Sequence, residues 1–264
     1  MAAKLRQVLV FPDTHRPYHD ARAYDLALRV GDDLQGGKGP DEILVLGDYG
    51  DFYSVSSHGK DSALERHLSR EVDNVSAALR SLEQRWPHAK RTFIEGNHED
   101  RLRRYLNDKA PELYGLVSTE ALLGLEPPRW TFVPYGPKQL VRVGDSHLYA
   151  RHEPLTGGVL PAHGTVLRAG CSVIYGHDHR SQQAQVTMAN GDTHLGVSVG
   201  WLGNEDRPEF SYTKGHPNWA LGFGVVTYDP STGLFFVDAV RIIARGRGGS
   251  LSYTCYHGGT WYEG

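Results

Sequence analysis

The sequence predicts an α/β protein with mixed β-sheets. Two observations carry this: short apolar runs alternate with amphipathic stretches in the first half, and shorter strand-like runs fill the second. A third is punctuation, since four of the apolar runs end in Pro or Gly followed by Asp, Asn or His. Residues 7–11 (QVLVF) read as a buried strand. Residues 20–34 come next as a helix with Ala23, Leu26, Ala27 and Val30 in period, and glycines with Pro40 turn the chain over 36–40. Residues 42–46 (EILVL) are the second buried strand. Residues 64–86 form a long amphipathic helix whose stripe is Leu64, Leu68, Val72, Val75, Leu79 and Leu82, stopped by Pro87. Residues 91–95 (RTFIE) are the third strand, and after it comes a helix carrying Leu102, Tyr105 and Leu106. Strand–helix–strand–helix–strand order calls for a parallel sheet with crossover helices.

Shorter strands are expected at 131–134, 139–143 and 147–150, a helix at 161–169, and a buried strand at 172–175. Strands at 182–188, 194–199, 222–228 and 234–243 complete a β-rich tail, and the glycines of 246–249 suggest a flexible approach to the C-terminus. Residues 1–264 are expected to form a single domain.

Composition bounds the class. Hydrophobic residues make up 39% of the 264, charged residues 22%, and the formal net charge is -3. That suits a globular protein and shows no basic bias toward nucleic acid. Two cysteines, Cys171 and Cys255, make no disulfide framework, and a cytoplasmic setting is expected. The N-terminus lacks the apolar length of a signal peptide, and no run is long enough to span a membrane. Histidine is abundant, at 14.

The chemistry lies at strand ends. Asp13 and His15, Asp48, Asn97 and His98, and His177 and His179 each follow an apolar strand. Open α/β sheets bind ligands at that edge, so residues distant in sequence converge there. Carboxylate and imidazole donors without cysteine suit Mn, Fe or Zn in a hydrolytic site. Each segment alone has a plain explanation. Gly96-Asn97-His98-Glu99, for example, could cap the next helix through Asn97.

Asp13-x-His15, Gly47-Asp48-x-x-Asp51, Gly96-Asn97-His98-Glu99, a lone His152 and Gly176-His177-x-His179 together resemble the calcineurin-like metallophosphoesterases. The resemblance implies a four-layer α/β/β/α sandwich of two mixed sheets flanked by helices. It implies two divalent metal ions (Mn, Fe, Zn or Ni, with Mn favoured). Asp13, His15 and His179 would bind the first, and Asn97, His152 and His177 the second, with Asp48 bridging. His98 would give a proton to the leaving oxygen or stabilise the transition state, and Asp51 would orient His98 or another group behind the ligands. The implied activity is hydrolysis of phosphate esters by a metal-activated water, on a nucleotide or nucleic-acid phosphate. The alternatives are a Ser/Thr-type protein phosphatase, or a binding protein on a degenerate fold.

Three departures shape these expectations. His152 follows Arg151, where many members have Gly. Asp51 is followed by Phe52-Tyr53 rather than the Arg of the protein phosphatase branch. No capping domain like that of the DNA-repair nucleases follows the core. Residues 17–20, 51–54 and 97–102 also resemble small phosphoesterases of bacteriophages, for which the setting would be the host cytoplasm.

Arg101 is the expected phosphate contact, since Arg grips phosphate through two donors. Arg103 and Arg104 read as a solvated helix face paired with Asp100, Asp108 and Glu112. His58, His67 and His88 read as solvated, His19 as a pocket-lining candidate, and His163 as a helix-surface residue or spare ligand. Residues 201–219 form a long polar–aromatic loop, expected as a substrate-selecting lid or as an oligomer contact through Trp201, Phe210 and Trp219. The sequence leaves the oligomeric state open.

Overall fold

The computed structural model describes residues 4–57, 67–210, 217–246 and 251–264. Strand β1 (Arg6–Phe11) leads into helix α1 (Ala21–Gly37), β2 (Glu42–Val45), α2 (Leu68–Arg85), β3 (Lys90–Ile94) and α3 (Asp100–Lys109). Then come α4 (Thr119–Leu123), β4 (Thr131–Val133), β5 (Val141–Arg142), β6 (Leu148–Arg151), α5 (Pro161–Ala169) and β7 (Ser172–Tyr175). Strands β8 (Ser181–Thr187), β9 (Thr193–Val199), β10 (Gly222–Tyr228), β11 (Phe235–Arg241), β12 (Ile243–Arg245), β13 (Ser252–His257) and β14 (Thr260–Glu263) complete the chain.

Two mixed sheets dominate. The first has the order β11-β10-β1-β2-β3-β4 and the second β5-β6-β7-β9-β8. Strands β1 to β4 run parallel, and β10 and β11 join antiparallel. In the second sheet β6, β7 and β9 run parallel, with β5 and β8 antiparallel at the edges.

Alternation along β1 explains the layering. Val8 and Val10 face a cluster with Leu44, Ile94, Ile174 and Val197, which is the seam between the sheets. Leu9 and Phe11 face the opposite way, into a core with Ala23, Leu26, Val75 and Leu79 from α1 and α2. Helix α5 buries Ala162 and Val166 on the far side of the second sheet. A strand buried on both faces reads as a continuous apolar run, which is why β1, β2 and β7 are plain in the sequence. The result is the expected helix, sheet, sheet, helix stacking.

Helix α1 begins where Asp20 caps it, its carboxylate accepting from the N–H groups of Arg22 and Ala23 at 3.0 Å each. Residues 64–66 of the expected second helix lie outside the described residues, and the described part starts at Leu68. The expected strand at 139–143 shortens to Val141–Arg142. Gln139 instead folds inward and binds the ends of neighbouring strands.

The C-terminus differs from the sequence expectation. Residues 247–250 lie outside the described residues, but beyond them the chain forms the β13–β14 hairpin, which joins β12 in a third sheet. The buried face of this hairpin is only Tyr253, Cys255 and Tyr262, too sparse to read as an apolar run. The Gly258-Gly259 pair between the strands was the hairpin signal. Among the described residues no helix is long and apolar enough to cross a membrane.

Tyr253 ties this hairpin to the helix cap, its hydroxyl donating to Asp20 Oδ2 at 2.7 Å. Chemical denaturation should show Tyr253→Phe costing about 1 kcal/mol, the value of one hydrogen bond. Tyr253→Ala, which also empties the core position, should cost about 3 kcal/mol or more.

Candidate metal centre

Five strand ends converge at the seam between the two large sheets. β1 delivers Asp13 and His15, β2 delivers Asp48, β3 delivers Asn97 and His98, β6 delivers His152, and β7 delivers His177 and His179. Two groups of ligand atoms, each within 4.8 Å of one another, gather there: Asp13, His15 and His179, and Asp48, His152 and His177. A third group joins His15 and Asp48 to His98. Asn97 completes the second group, its Oδ1 lying 2.9 Å from both His152 Nε2 and His177 Nδ1. His152 Nε2 is 3.3 Å from Asp48 Oδ2. His15 Nε2 and His179 Nε2 face each other at 3.1 Å, and His179 Nε2 lies 3.6 Å from Asp13 Oδ1.

The loops are strained to achieve this. His15, Asp48, His177 and His179 have φ of 50°, 47°, 71° and 56°, in the left-handed region that non-glycine residues avoid. Each such residue costs on the order of 1–3 kcal/mol and persists only where its surroundings hold it. Hydrogen bonds do that. His15 N donates to Asp48 O at 2.8 Å, Ala220 N to His179 O at 2.8 Å, and His177 N to both oxygens of Asp13 at 2.8 and 2.9 Å.

Two glycines are sterically required. A Cβ on Gly96 would sit 2.1 Å from Asp48 Oδ1, and one on Gly176 would sit 2.3 Å from Asp13 Oδ2. The Gly-Asn-His and Gly-His-x-His motifs thus begin with Gly because a carboxylate occupies the space of its side chain.

Glu99 was missed by sequence reasoning, which gave it no role at the centre. Helix α3 starts one residue after Glu99, and Asn97 points at the other candidate ligands rather than capping the helix. The Glu99 carboxylate is fully buried and accepts from the N–H groups of Asp48, Gly50 and Gly96 at 2.9, 2.8 and 2.9 Å. It locks the β2 loop to the β3 loop. Burial, reinforced by Asp48, pushes its pKa up to about 7. Gln139 does similar work for His152: its Oε1 accepts His152 N at 2.9 Å, while its Nε2 donates to Glu95 O at 2.8 Å. His152 Nδ1 donates to Leu46 O at 2.7 Å, which leaves Nε2 as the ligating atom. Arg151, placed where a glycine is common, packs beside the site and donates to Glu153 O, and His152 keeps its place in the cluster.

The protonation pattern suits metal ligation. Burial holds His15, His177 and His179 below the usual imidazole range, in the neutral form that offers a lone pair. Burial works against a charge on Asp48, but His152 and His98 outweigh it and keep its pKa well below normal. The same contest pushes His152 up to about 10, through Asp48 and Asp13. Burial raises Asp13 well above the carboxylate range. Among the described residues neither Asp13 nor Asp48 pairs with a Lys or Arg. Protons on His152 and Asp13 stand in for the missing positive charge, and a divalent ion among these donors would displace them, so the donor set fits a divalent metal site.

His98 and Asp51 sit beside the ligands. His98 Nδ1 lies 3.1 Å from both Asp51 Oδ2 and Asp51 O, and its N–H donates to Asp48 Oδ1 at 2.8 Å. Asp51 Oδ2 also meets His15 Nδ1 at 3.0 Å. His98 and His15 hold Asp51 ionised despite its burial. Arg101 Nη1 donates to Asp51 O at 2.8 Å, and its Nη2 lies 3.0 Å from His98 Nε2. Arg103 and Arg104 both pair with Asp100. His19 packs on Tyr24 away from the ligands, and His67, His88 and His163 are exposed. His58 lies outside the described residues.

The aromatic loop is partly outside them too, at 211–216. Its anchors at Trp201 and Phe210 are internal. Trp201 and Phe210 are buried, Trp201 stacks on the His179 ring at 4.6 Å, and Phe210 meets His15 edge-on at 5.3 Å.

Comparison with known proteins agrees with this geometry. The model of the calcineurin-like phosphoesterase family matches residues 6–181. The chain is similar to the Gene 54 protein of Mycobacterium phage L5, 27% identical over 245 residues covering 85% of this chain and 89% of that protein. It is also similar to the Gene 54 protein of Mycobacterium phage D29, at 28% over 240 residues with the same two coverages.

Glu99→Ala would strand three buried N–H groups. It should lower stability by about 3 kcal/mol or more in urea and reduce bound metal measured by elemental analysis. Metal content equal to that of the parent protein would contradict the clamp.

Proposed function

The chain belongs to the calcineurin-like phosphoesterase family, and on that premise we propose that it is a dinuclear metal-dependent hydrolase of a nucleotide or nucleic-acid phosphate ester. One observation carries this reading: a complete set of buried Asp, Asn and His donors converges on Asp48, with His98 beside them. A non-catalytic member would have no need to keep that whole set.

Asp13, His15 and His179 would hold one ion, and Asn97, His152 and His177 the other, with the Asp48 carboxylate shared. Two divalent ions supply positive charge to the phosphoryl oxygens and lower the pKa of water so that it attacks phosphorus at neutral pH. These donors accept several divalent ions, and Mn is the one proposed here.

The chain's own residues do the rest. His98 gives a proton to the leaving oxygen through Nε2. Burial opposes its charge, but Asp48 and Asp51 raise its pKa, which favours the protonated ring once a phosphate oxygen draws Arg101 Nη2 off the Nε2 lone pair. Asp51 fixes the ring by binding Nδ1, the orienting role. Arg101 is tethered by the same carboxylate, with Nη2 beside His98 Nε2, so a phosphate oxygen entering there would meet both donors. The half-exposed edge at Asn97 and His177 is the way in.

Manganese-loaded protein should hydrolyse an aryl phosphate ester, and a chelator should abolish the activity. No turnover of any ester by metal-replete protein would favour the binding-protein alternative. His98→Asn should lower kcat by about 10²–10⁴-fold while elemental analysis still finds the metal. Asn97→Ala should lose both metal and activity. Arg101→Ala should keep the metal and lower kcat/KM.

A further inference from the structure

Among the described residues two grooves adjoin the cluster, and each starts at a different site residue. The first starts at His177, has a volume of about 400 Å³, and is walled by the 153–158 loop and Pro161 with Arg180 beside them. The loop is pinned. Leu155 N donates to Thr165 Oγ1 at 2.9 Å, Arg180 Nη1 to Gly158 O at 2.8 Å, and Gln182 Nε2 to Val159 O at 3.0 Å. Those bonds hold Val159 and Leu160 in water at 82% and 68% exposure. These two residues do not line the groove itself but lie in sequence between its lining residues Gly158 and Pro161, so two adjacent exposed aliphatic side chains flank its wall as a contact platform.

The second groove starts at Arg101, has a volume of about 300 Å³, and is lined along α3 by Arg104, Tyr105 and Lys109. Asp108 also lines it and pairs with Lys109 at 2.9 Å. Because Arg101 Nη2 touches His98 Nε2, this groove leads away from the residue that protonates the leaving group. Tyr105 offers a ring that is 43% exposed.

A phosphomonoester has one organic substituent and would fill one groove. Two grooves at one phosphoryl site fit two substituents. We propose, resting on the phosphoesterase reading above, that the substrate is an internucleotide phosphodiester. Its retained nucleoside lies on the Val159–Leu160 platform, and its leaving nucleoside lies along α3 with a base against Tyr105. A P–O bond forms from water, and the P–O bond toward the α3 groove breaks. The leaving oxygen takes the proton of His98, and a proton from the attacking water restores it. The products are an alcohol end and a phosphomonoester. Bases stack on an exposed aromatic ring whatever their identity, and a lysine further along the groove attracts the next phosphate.

The test compares p-nitrophenyl phosphate, bis(p-nitrophenyl) phosphate, a dinucleoside monophosphate and a short single-stranded oligonucleotide, all with manganese-loaded protein. Three variants outside the cluster are used: Tyr105→Ala, Lys109→Ala, and Val159→Ser with Leu160→Ser. Diesters should be turned over faster than the monoester. For the oligonucleotide, Tyr105→Ala and the double variant should each raise KM about tenfold, with bound metal equal to that of the parent protein. Lys109→Ala should weaken the salt dependence of oligonucleotide cleavage and spare the dinucleoside monophosphate, which has no next phosphate. If both nucleotide substrates respond alike to Lys109→Ala, the substrate is a dinucleotide rather than a strand, and the diester assignment stands. A better rate on the monoester, or an oligonucleotide KM indifferent to both groove changes, overturns the proposal while leaving a phosphoesterase. No turnover of any ester overturns the phosphoesterase reading, and the proposal with it.

Discussion

Burying a carboxylate without a cation costs several kcal/mol, and this centre buries four carboxylates, Asp13, Asp48, Asp51 and Glu99. Asp51 is answered by His15, His98 and Arg101. Among the described residues Asp48 and Asp13 are answered only by imidazoles and backbone N–H groups. The rest of the centre is built to keep those two in place. Glu99 holds the backbone of Asp48, and His177 N holds both oxygens of Asp13. The glycines at 96 and 176 leave room for the carboxylates themselves. The strain stored at His15, Asp48, His177 and His179 comes from pointing their ligand atoms at common points.

The sandwich makes this possible because strands from both sheets end at one seam. Rigid apolar strands fix where each loop begins, and short loops then have few conformations to lose. Aromatic packing completes the wall. Trp201 stacks flat on His179 with an interplanar angle of 11°, and Phe210 sets the edge of His15. The loop at 201–219, expected as a lid or as an oligomer contact, therefore begins as a wall of the centre.

The fold was legible where burial on two faces makes a strand uniformly apolar, as in β1, β2 and β7. It was illegible where burial is thin, as in the β13–β14 hairpin, whose inward residues are three alternating side chains. The convergence of Asp13, His15, Asp48, Asn97, His177 and His179 at strand ends was readable, because their strands were. His152 rested on family resemblance, yet β6 ends at Arg151, and the expected strand at 147–150 already pointed there. Glu99 and Gln139 were not readable as partners of the centre. Their work is to bind backbone atoms of distant loops, and no local pattern records that. Arg101 was singled out as a phosphate contact, and its attachment to Asp51 and His98 came only from the folded chain.

The central claim is that Asp48 lies between two cation sites. Anomalous diffraction from a manganese-soaked crystal tests it most directly. The account predicts two peaks about 3.5–4 Å apart. One should lie against Asp13, His15 and His179, the other against Asn97, His152 and His177, with the Asp48 carboxylate touching both. A single peak, or two peaks of which neither touches Asp48, would contradict it.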